Sequence, residues 1–335
     1  MTAPHILIVG AGSVGKRHAG NLRTLGCTVS GMDPRGDRAI EFARSHPGAT
    51  AYPSLEAALA GGRFDGAVVC SPTAFHVDQC LVLLERGLPL LLEKPVAKSL
   101  TDAERLSAAL AAADSRLLLG YTWRWWPPLA RVRELLAQRV VGQLHHVDFI
   151  MSAHLADWHP YEPLGDFFMS SAELGGGALL DESHWLDLMA WMFGPPDSLF
   201  AQVETIGGLD ISSDDNVDML LSYPDGLRVH VHLDLYGRPH RKEIRFVGTA
   251  GTMLWSETPN RIAIAEDAAG PWREEFFENE RNDMFMAVAR EFLAMLQGDP
   301  ARTCSLDDGM AVMRIIEAAR ESAATGRRVE FGDGA

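Results

Sequence analysis

Short, unbroken apolar runs alternate with segments of helical periodicity over the first 122 residues. Runs at 6–9, 28–32, 49–52, 65–70, 88–92 and 117–119 read as strands buried on both faces. Between them helices are predicted from Ser13 onward and over 38–44, 55–60, 76–86 and 102–113. Ser54 and Thr101 stand at cap positions, with Glu56 and Glu104 in the first turns that follow, and Gly87 ends a helix. Such alternation predicts a parallel, doubly wound sheet. The pattern then changes. Pro127-Pro128 opens a helix to 138, 144–151 reads as a long strand, and Gly175-Gly176-Gly177 leads into a helix over 181–193 that stops at Gly194-Pro195-Pro196. Strands at 199–206, 217–223, 227–235 and 242–247 then follow one another, with Pro224-Asp225-Gly226 as a hairpin turn. This predicts a mostly antiparallel sheet with one face covered, the cover being helices over 282–296 and 306–323. Met284, Phe285, Val288, Phe292 and Met295 form a core stripe on the first of these.

The turn after the first run carries candidate chemistry. Gly10-Ala11-Gly12-Ser13-Val14-Gly15 follows a strand and opens a helix, and Asp33 stands at the end of the second run. Gly10 permits a tight turn, Gly12 lets the backbone approach a pyrophosphate, and Gly15 lets the helix pack close to the sheet. The helix start at Ser13 and Val14 aims N–H groups and a positive dipole end at phosphates. Asp33 can accept hydrogen bonds from an adenosine ribose. Together these features predict a dinucleotide site. The fold class expected is therefore α/β, with a Rossmann domain over 1–122 and an α+β domain with a large, mostly antiparallel open sheet over 123–335. Asp33 favours NAD because its carboxylate would repel a 2′-phosphate, while Arg35 and Arg38 keep NADP as the alternative.

Composition narrows the class further. The chain has 335 residues and 47% apolar content, enough for two cores. A net charge of −15, with no Lys/Arg-rich run, argues against nucleic acid and anionic membrane partners. Cys27, Cys70, Cys80 and Cys304 lack metal-ligand spacing and read as reduced, buried thiols. No apolar stretch approaches a bilayer span and no charged leader precedes the first strand, so a soluble cytoplasmic protein is expected.

Two more motifs bear on reactivity. Glu93-Lys94-Pro95 follows the fifth strand, at the sheet edge where ligands of such folds bind. An ammonium there can hold a substrate hydroxyl and stabilise its developing negative charge, although a lysine at a strand end, read alone, is usually a solvated loop charge. Asp181, His184 and Asp187 recur every three residues and would share a helical face. A histidine beside a carboxylate suits a general base, and the same residues also fit a capped helix start with a core histidine.

The order of motifs completes the picture. Gly10-x-Gly12-x-x-Gly15 with His18, Ser71-Pro72-Thr73-x-x-His76, Glu93-Lys94-Pro95, Gly120-Tyr121-x-x-Arg124-x-x-Pro127 and Gly175-Gly-Gly-x-x-x-Asp181 run in sequence. In this the chain resembles the glucose–fructose oxidoreductase/inositol dehydrogenase/MocA family over nearly its whole length. The resemblance implies an active site between a nucleotide domain and an open-sheet domain. It also implies NAD- or NADP-dependent oxidation or reduction of a secondary alcohol on a sugar, cyclitol or sugar nucleotide. The implied catalytic set is Lys94, Asp181 and His184. The implied cofactor set is Gly10, Gly12, Ser13, Val14, Gly15, Asp33, Ser71, Pro72, Thr73, His76, Glu93 and Lys94. A cis Lys94–Pro95 bond is also implied. One departure stands out: the aspartate-to-histidine spacing is three residues, where the family usually has four. One residue rotates a helix by about a hundred degrees, so Asp181 and His184 cannot both keep the usual facing. Members that look like sugar-nucleotide enzymes share the shorter form and also resemble the chain at Asp157-Trp158-His159-Pro160, which implies that this segment lines the substrate site.

Substrate contacts are expected from Lys94, Tyr121, Arg124, Trp158, His159 and His184, with Trp123, Trp125 and Trp126 flanking the arginine as sugar-stacking candidates or as core. His230 and His232 share a strand face near His240, but no matching acid or thiol spacing supports a metal, and none is expected. Three functions compete: a dehydrogenase or reductase, a glycoside-cleaving enzyme using NAD for transient oxidation, and a non-catalytic nucleotide-sensing regulator. The motifs favour the first. The strands of the second domain suggest an open sheet face that pairs subunits, so a homodimer or homotetramer is expected.

Overall fold

A computed structural model describes residues 3–158, 163–267 and 270–332. The chain divides into two compact units, one of residues 1–125 with 280–310, the other of residues 126–279 with 311–335. The expected division had a single break after residue 122. The structure instead returns residues 280–310 to the first unit.

In the first unit, β1 (His5–Val9), β2 (Thr28–Met32), β3 (Ala51–Tyr52), β4 (Gly66–Val69), β5 (Leu90–Leu92) and β6 (Leu117–Leu119) form one sheet in the order β3-β2-β1-β4-β5-β6. Every pairing in it is parallel. The helices between them are α1 (Ser13–Thr24), α2 (Gly36–Ser45), α3 (Leu55–Gly61), α4 (His76–Leu84) and α5 (Leu100–Ala112). Strands covered on both faces need apolar side chains on both, which is why Ile6, Leu7, Ile8, Val68, Val69, Leu91 and Leu118 are fully buried. Strand order reverses at β1 and β4, the place where open α/β sheets bind ligands.

The second unit opens with α6 (Pro127–Ala137), whose first-turn proline has no N–H to leave unsatisfied. There follow β7 (Leu144–Ser152), α7 (Ala178–Asp181), α8 (His184–Phe193), β8 (Ser198–Glu204), β9 (Asn216–Ser222), β10 (Arg228–Asp234), β11 (Arg241–Gly248), β12 (Gly251–Ser256), β13 (Arg261–Ala265) and β14 (Arg273–Phe276). After α9 (Arg281–Leu296) and α10 (Leu306–Thr325), a short β15 (Val329–Glu330) completes a nine-stranded sheet, β14-β13-β12-β11-β7-β10-β9-β8-β15. Only β7 and β10 pair in parallel. One face carries Val147, Phe149, Val229, Val231, Val217 and Met219, all buried. Trp185 of α8 meets Trp255 of β12, and Phe193 meets Phe149, on that side. The opposite face carries a run of paired side chains, His146–Asp148–His230–Asp218–His232–Asp234, beside exposed Phe200 and Leu220. Asp148 and Asp218 come from the neighbouring strands β7 and β9, which is why spacing around His230 did not reveal them, whereas Asp234 closes β10 itself.

One expectation needs correcting. Helix α9 does not cover the second sheet. Its stripe of Val288, Ala289, Phe292 and Met295 belongs to the core cluster of the first sheet, with Ile6, Ile8, Leu22, Val68, Leu91 and Leu118. The stripe was readable as core, but periodicity does not say which core.

Candidate active site

The nucleotide end of the first unit is shaped by glycines. Gly10 has φ +94°, and a β-carbon there would sit 2.7 Å from Ser71 N, so no larger residue lets β1 and β4 end side by side. At Gly15 a β-carbon would overlap the Gly10 carbonyl oxygen. Gly12 differs: its nearest neighbour would be Arg38 Nη1 at 3.8 Å, leaving its backbone open to a ligand. Helix α1 begins with no side-chain cap and no acidic residue in its first turn, so its positive end is not neutralised from within. Asp33, buried at the end of β2, accepts hydrogen bonds from Ala11 N and Arg35 N, each at 2.9 Å. The Arg35 guanidinium turns instead to Asp37. An open glycine backbone, an uncapped helix start and an oriented carboxylate fit the pyrophosphate and ribose of a dinucleotide. Gly15→Val should therefore abolish NAD binding and lower the thermal midpoint. Gly20→Ala on the same helix meets nothing within 4 Å and should be neutral or stabilising, by up to about 1 kcal/mol. Calorimetry and NAD titration of the two variants check this contrast.

Lys94 leaves β5 through a cis Lys94–Pro95 bond, as the resemblance implied. Its neighbours on both sides are fixed by buried groups. Fully buried His18 donates from Nε2 to Glu93 Oε1 at 2.7 Å. His76 sits between two acceptors, the Pro95 carbonyl 2.8 Å from Nδ1 and the Ser71 carbonyl 2.9 Å from Nε2. Burial holds the His76 pKa below the ordinary imidazole value, although both carbonyls pull it upward. A neutral ring donates to only one of them. His76 thus ties the end of β4 to the turn that presents Lys94, while Ser71 donates its hydroxyl to Gln79 at 2.6 Å and Thr73 is buried beside them.

The turn after β6 is more enclosed than its residue types suggest. Tyr121 is fully buried, and Arg124, 5% exposed, donates to the Thr303 carbonyl at 2.9 Å and pairs with Asp308 at 3.0 Å. Trp123 and Trp126 are buried, and Trp125 Nε1 donates to Glu291. Arg124 and Trp125 thus join the turn after β6 to Glu291, Thr303 and Asp308.

In the second unit the expected single helix from Asp181 is two. Helix α7 ends at Asp181 and α8 begins at His184, with Glu182 and Ser183 between. The shared-face argument for Asp181, His184 and Asp187 fails at this junction, which is also where the chain is one residue shorter than the usual family spacing. Asp181 reaches back and accepts a hydrogen bond from Gly177 N at 3.0 Å. Gly177, at φ +117°, lies so close to Asp214 that a β-carbon would overlap Asp214 Oδ1, and one on Gly176 would overlap the Met169 backbone. Asp214 accepts a hydrogen bond from Leu179 N at 2.7 Å, and burial pushes its carboxyl above the ordinary aspartate value against that bond. Sequence reasoning missed Asp214, since Ser212-Ser213-Asp214-Asp215-Asn216 reads equally well as a solvated turn. Trp158 is half-buried, and Asp157 beside it accepts from Arg238 Nη2 and Nε, at 2.6 and 2.8 Å. His159 lies outside the described residues. Among those that are described, no cluster of three or more His, Cys, Asp or Glu is arranged to hold a metal.

Comparison with known proteins adds to this geometry. Residues 5–121 match the oxidoreductase family with an NAD-binding Rossmann fold, and residues 129–254 match the GFO/IDH/MocA C-terminal domain. The rhizopine catabolism protein MocA of Rhizobium meliloti is 26% identical, over 96% of this chain and 95% of its own. Inositol 2-dehydrogenase of Rhizobium meliloti (strain 1021) is 25% identical, over 97% and 98%. A levoglucosan dehydrogenase solved with NADH and levoglucosan superposes with a TM-score of 0.86, at 17% identity, over 99% of this chain and all of that one, a likeness of fold. The chain belongs to the GFO/IDH/MocA family of NAD-binding oxidoreductases.

Proposed function

We propose that this oxidoreductase moves hydride between a nicotinamide cofactor and the carbinol carbon of a secondary alcohol on a sugar, cyclitol or sugar-nucleotide-like substrate. The observation that carries the reading is the Glu93-Lys94-Pro95 turn, which leaves the carboxyl edge of a parallel nucleotide-binding sheet with its flanks fixed by His18 and His76. Bound NAD supplies the ring that accepts hydride. In the oxidative direction His184 takes the hydroxyl proton, and the Lys94 ammonium donates a hydrogen bond to the same oxygen as negative charge gathers on it. The products are a ketone, a reduced cofactor and a proton that His184 passes to solvent. Asp181, which accepts from Gly177 N, acts by holding the turn that precedes His184. Tyr121, Arg124, Trp158 and His159 supply substrate contacts, the first two from the buried turn after β6, where Arg124 also donates to the Thr303 carbonyl. Asp33 favours NAD over NADP. The proposed activity is tested by following reduced-nicotinamide absorbance during a screen of sugars, inositols and sugar nucleotides with each cofactor. Reduction with none of them would end the reading.

A second copy of this chain is the occupant we assign to the open sheet face. Exposed Phe200 and Leu220 lie beside the histidine–aspartate run, a mixed apolar and charged patch suited to self-pairing. Light scattering at micromolar concentration should give a dimer or tetramer, and a monomer would reject the assignment. No helix among the described residues is long and apolar enough to cross a membrane, and all four cysteines are free thiols, which supports a cytoplasmic setting.

A further inference from the structure

Four consecutive residues that the function leaves unused grip the catalytic segment. Ser212 donates its backbone N–H to the Ser170 carbonyl at 2.9 Å, and its hydroxyl oxygen accepts from Ala172 N at 3.2 Å. Ser213 donates its hydroxyl to the Met169 carbonyl at 2.7 Å. Asp214 takes the first two N–H groups of α7: its carbonyl accepts from Ala178 at 2.9 Å, and its carboxylate from Leu179 at 2.7 Å. Asp215 faces the sheet instead, its fully buried carboxylate accepting from Ile206 N and Gly207 N and its carbonyl from Leu235 N. One short segment therefore connects the ends of β8 and β10 to both sides of the glycine turn that leads into Asp181 and His184.

We propose that residues 212–215 form a positioning strap and that Asp214 is its key residue, setting the α7 turn and, through it, the placement of His184. The proposal rests on the reading of His184 as the general base. Asp214 touches neither cofactor nor substrate in this role. Position 177 is glycine because the strap presses so closely that a side chain there would overlap Asp214, and one at 176 would overlap the Met169 backbone that Ser213 holds. Without the carboxylate, Leu179 N loses its acceptor, and a catalytic group misplaced by about 1 Å can cost on the order of 100-fold in rate.

The test compares Asp214→Ala, Asp214→Asn and Gly177→Ala with the full-length parent, measuring kcat, KM for substrate and NAD affinity by titration. Asp214→Ala is expected to lower kcat by about 10- to 100-fold, with NAD affinity unchanged. Asp214→Asn keeps an oxygen for Leu179 N and should restore kcat to within a few-fold of the parent. Gly177→Ala pushes on the same contact from the other side, so it should reproduce the loss even if Asp214→Ala folds poorly. A purely structural role would give lower thermal midpoints with kcat of the folded enzyme unmoved in all three, and that result overturns the strap. An active His184→Ala variant overturns the base assignment, and the strap falls with it. An inactive His184→Ala beside fully active Asp214 and Gly177 variants overturns the strap alone.

Discussion

Replacing Lys94 with alanine is expected to lower kcat by about 100- to 1,000-fold, the loss seen when one donor to a developing oxyanion is removed. NAD affinity should stay within a few-fold of the parent, because the proposed pyrophosphate and ribose sites at Gly10–Gly15 and Asp33 lie on other turns of the sheet. Lys94→Arg should not restore the rate, since a planar guanidinium cannot replace a compact ammonium in a turn fixed on either side by Glu93–His18 and Pro95–His76. Steady-state kinetics with a separate NAD titration check both statements. Equal losses in kcat and kcat/KM would mark an interaction made only in the transition state, whereas a rise in KM alone would reduce Lys94 to a binding group.

His184→Ala should be as severe, with turnover falling by about 100- to 10,000-fold as the proposed general base is lost. The pH profile supplies a second readout. A base must be neutral to accept the hydroxyl proton, so in the parent kcat/KM for alcohol oxidation should fall as pH drops through the imidazole titration. In the variant that limb should vanish, leaving a flat, low profile. A limb that persists in His184→Ala assigns the proton to another group.

Much of the first unit was legible because strands buried on both faces leave unbroken apolar runs, as at Ile6–Ile8 and Leu90–Leu92. The glycine turn was legible because Gly10 and Gly15 answer steric demands that the structure then displays, while Gly12 leaves its backbone open. The edge of the second sheet was not. Strand β14 reads Arg-Glu-Glu-Phe with all four side chains exposed, so no alternation marks it. Arg124 reads as a substrate contact among aromatic neighbours, and its partners Thr303 and Asp308 lie nearly two hundred residues further along, where they carry no local signal. The spacing of Asp181, His184 and Asp187 suggested one helix face. It could not reveal that the chain breaks helix at 182–183, nor that Asp214, from a separate segment, lies against Gly177 at the start of α7. Asp214 itself looked like a turn residue for the same reason.

The account depends on a C–H bond of the substrate being broken by transfer to nicotinamide. The most direct measurement uses the best alcohol substrate carrying deuterium at its carbinol carbon, followed by mass spectrometry of the cofactor. The account predicts one deuterium on the reduced nicotinamide for each ketone formed, with net accumulation of reduced cofactor. Product formed with no net reduced cofactor, or with the label released to solvent, would contradict it.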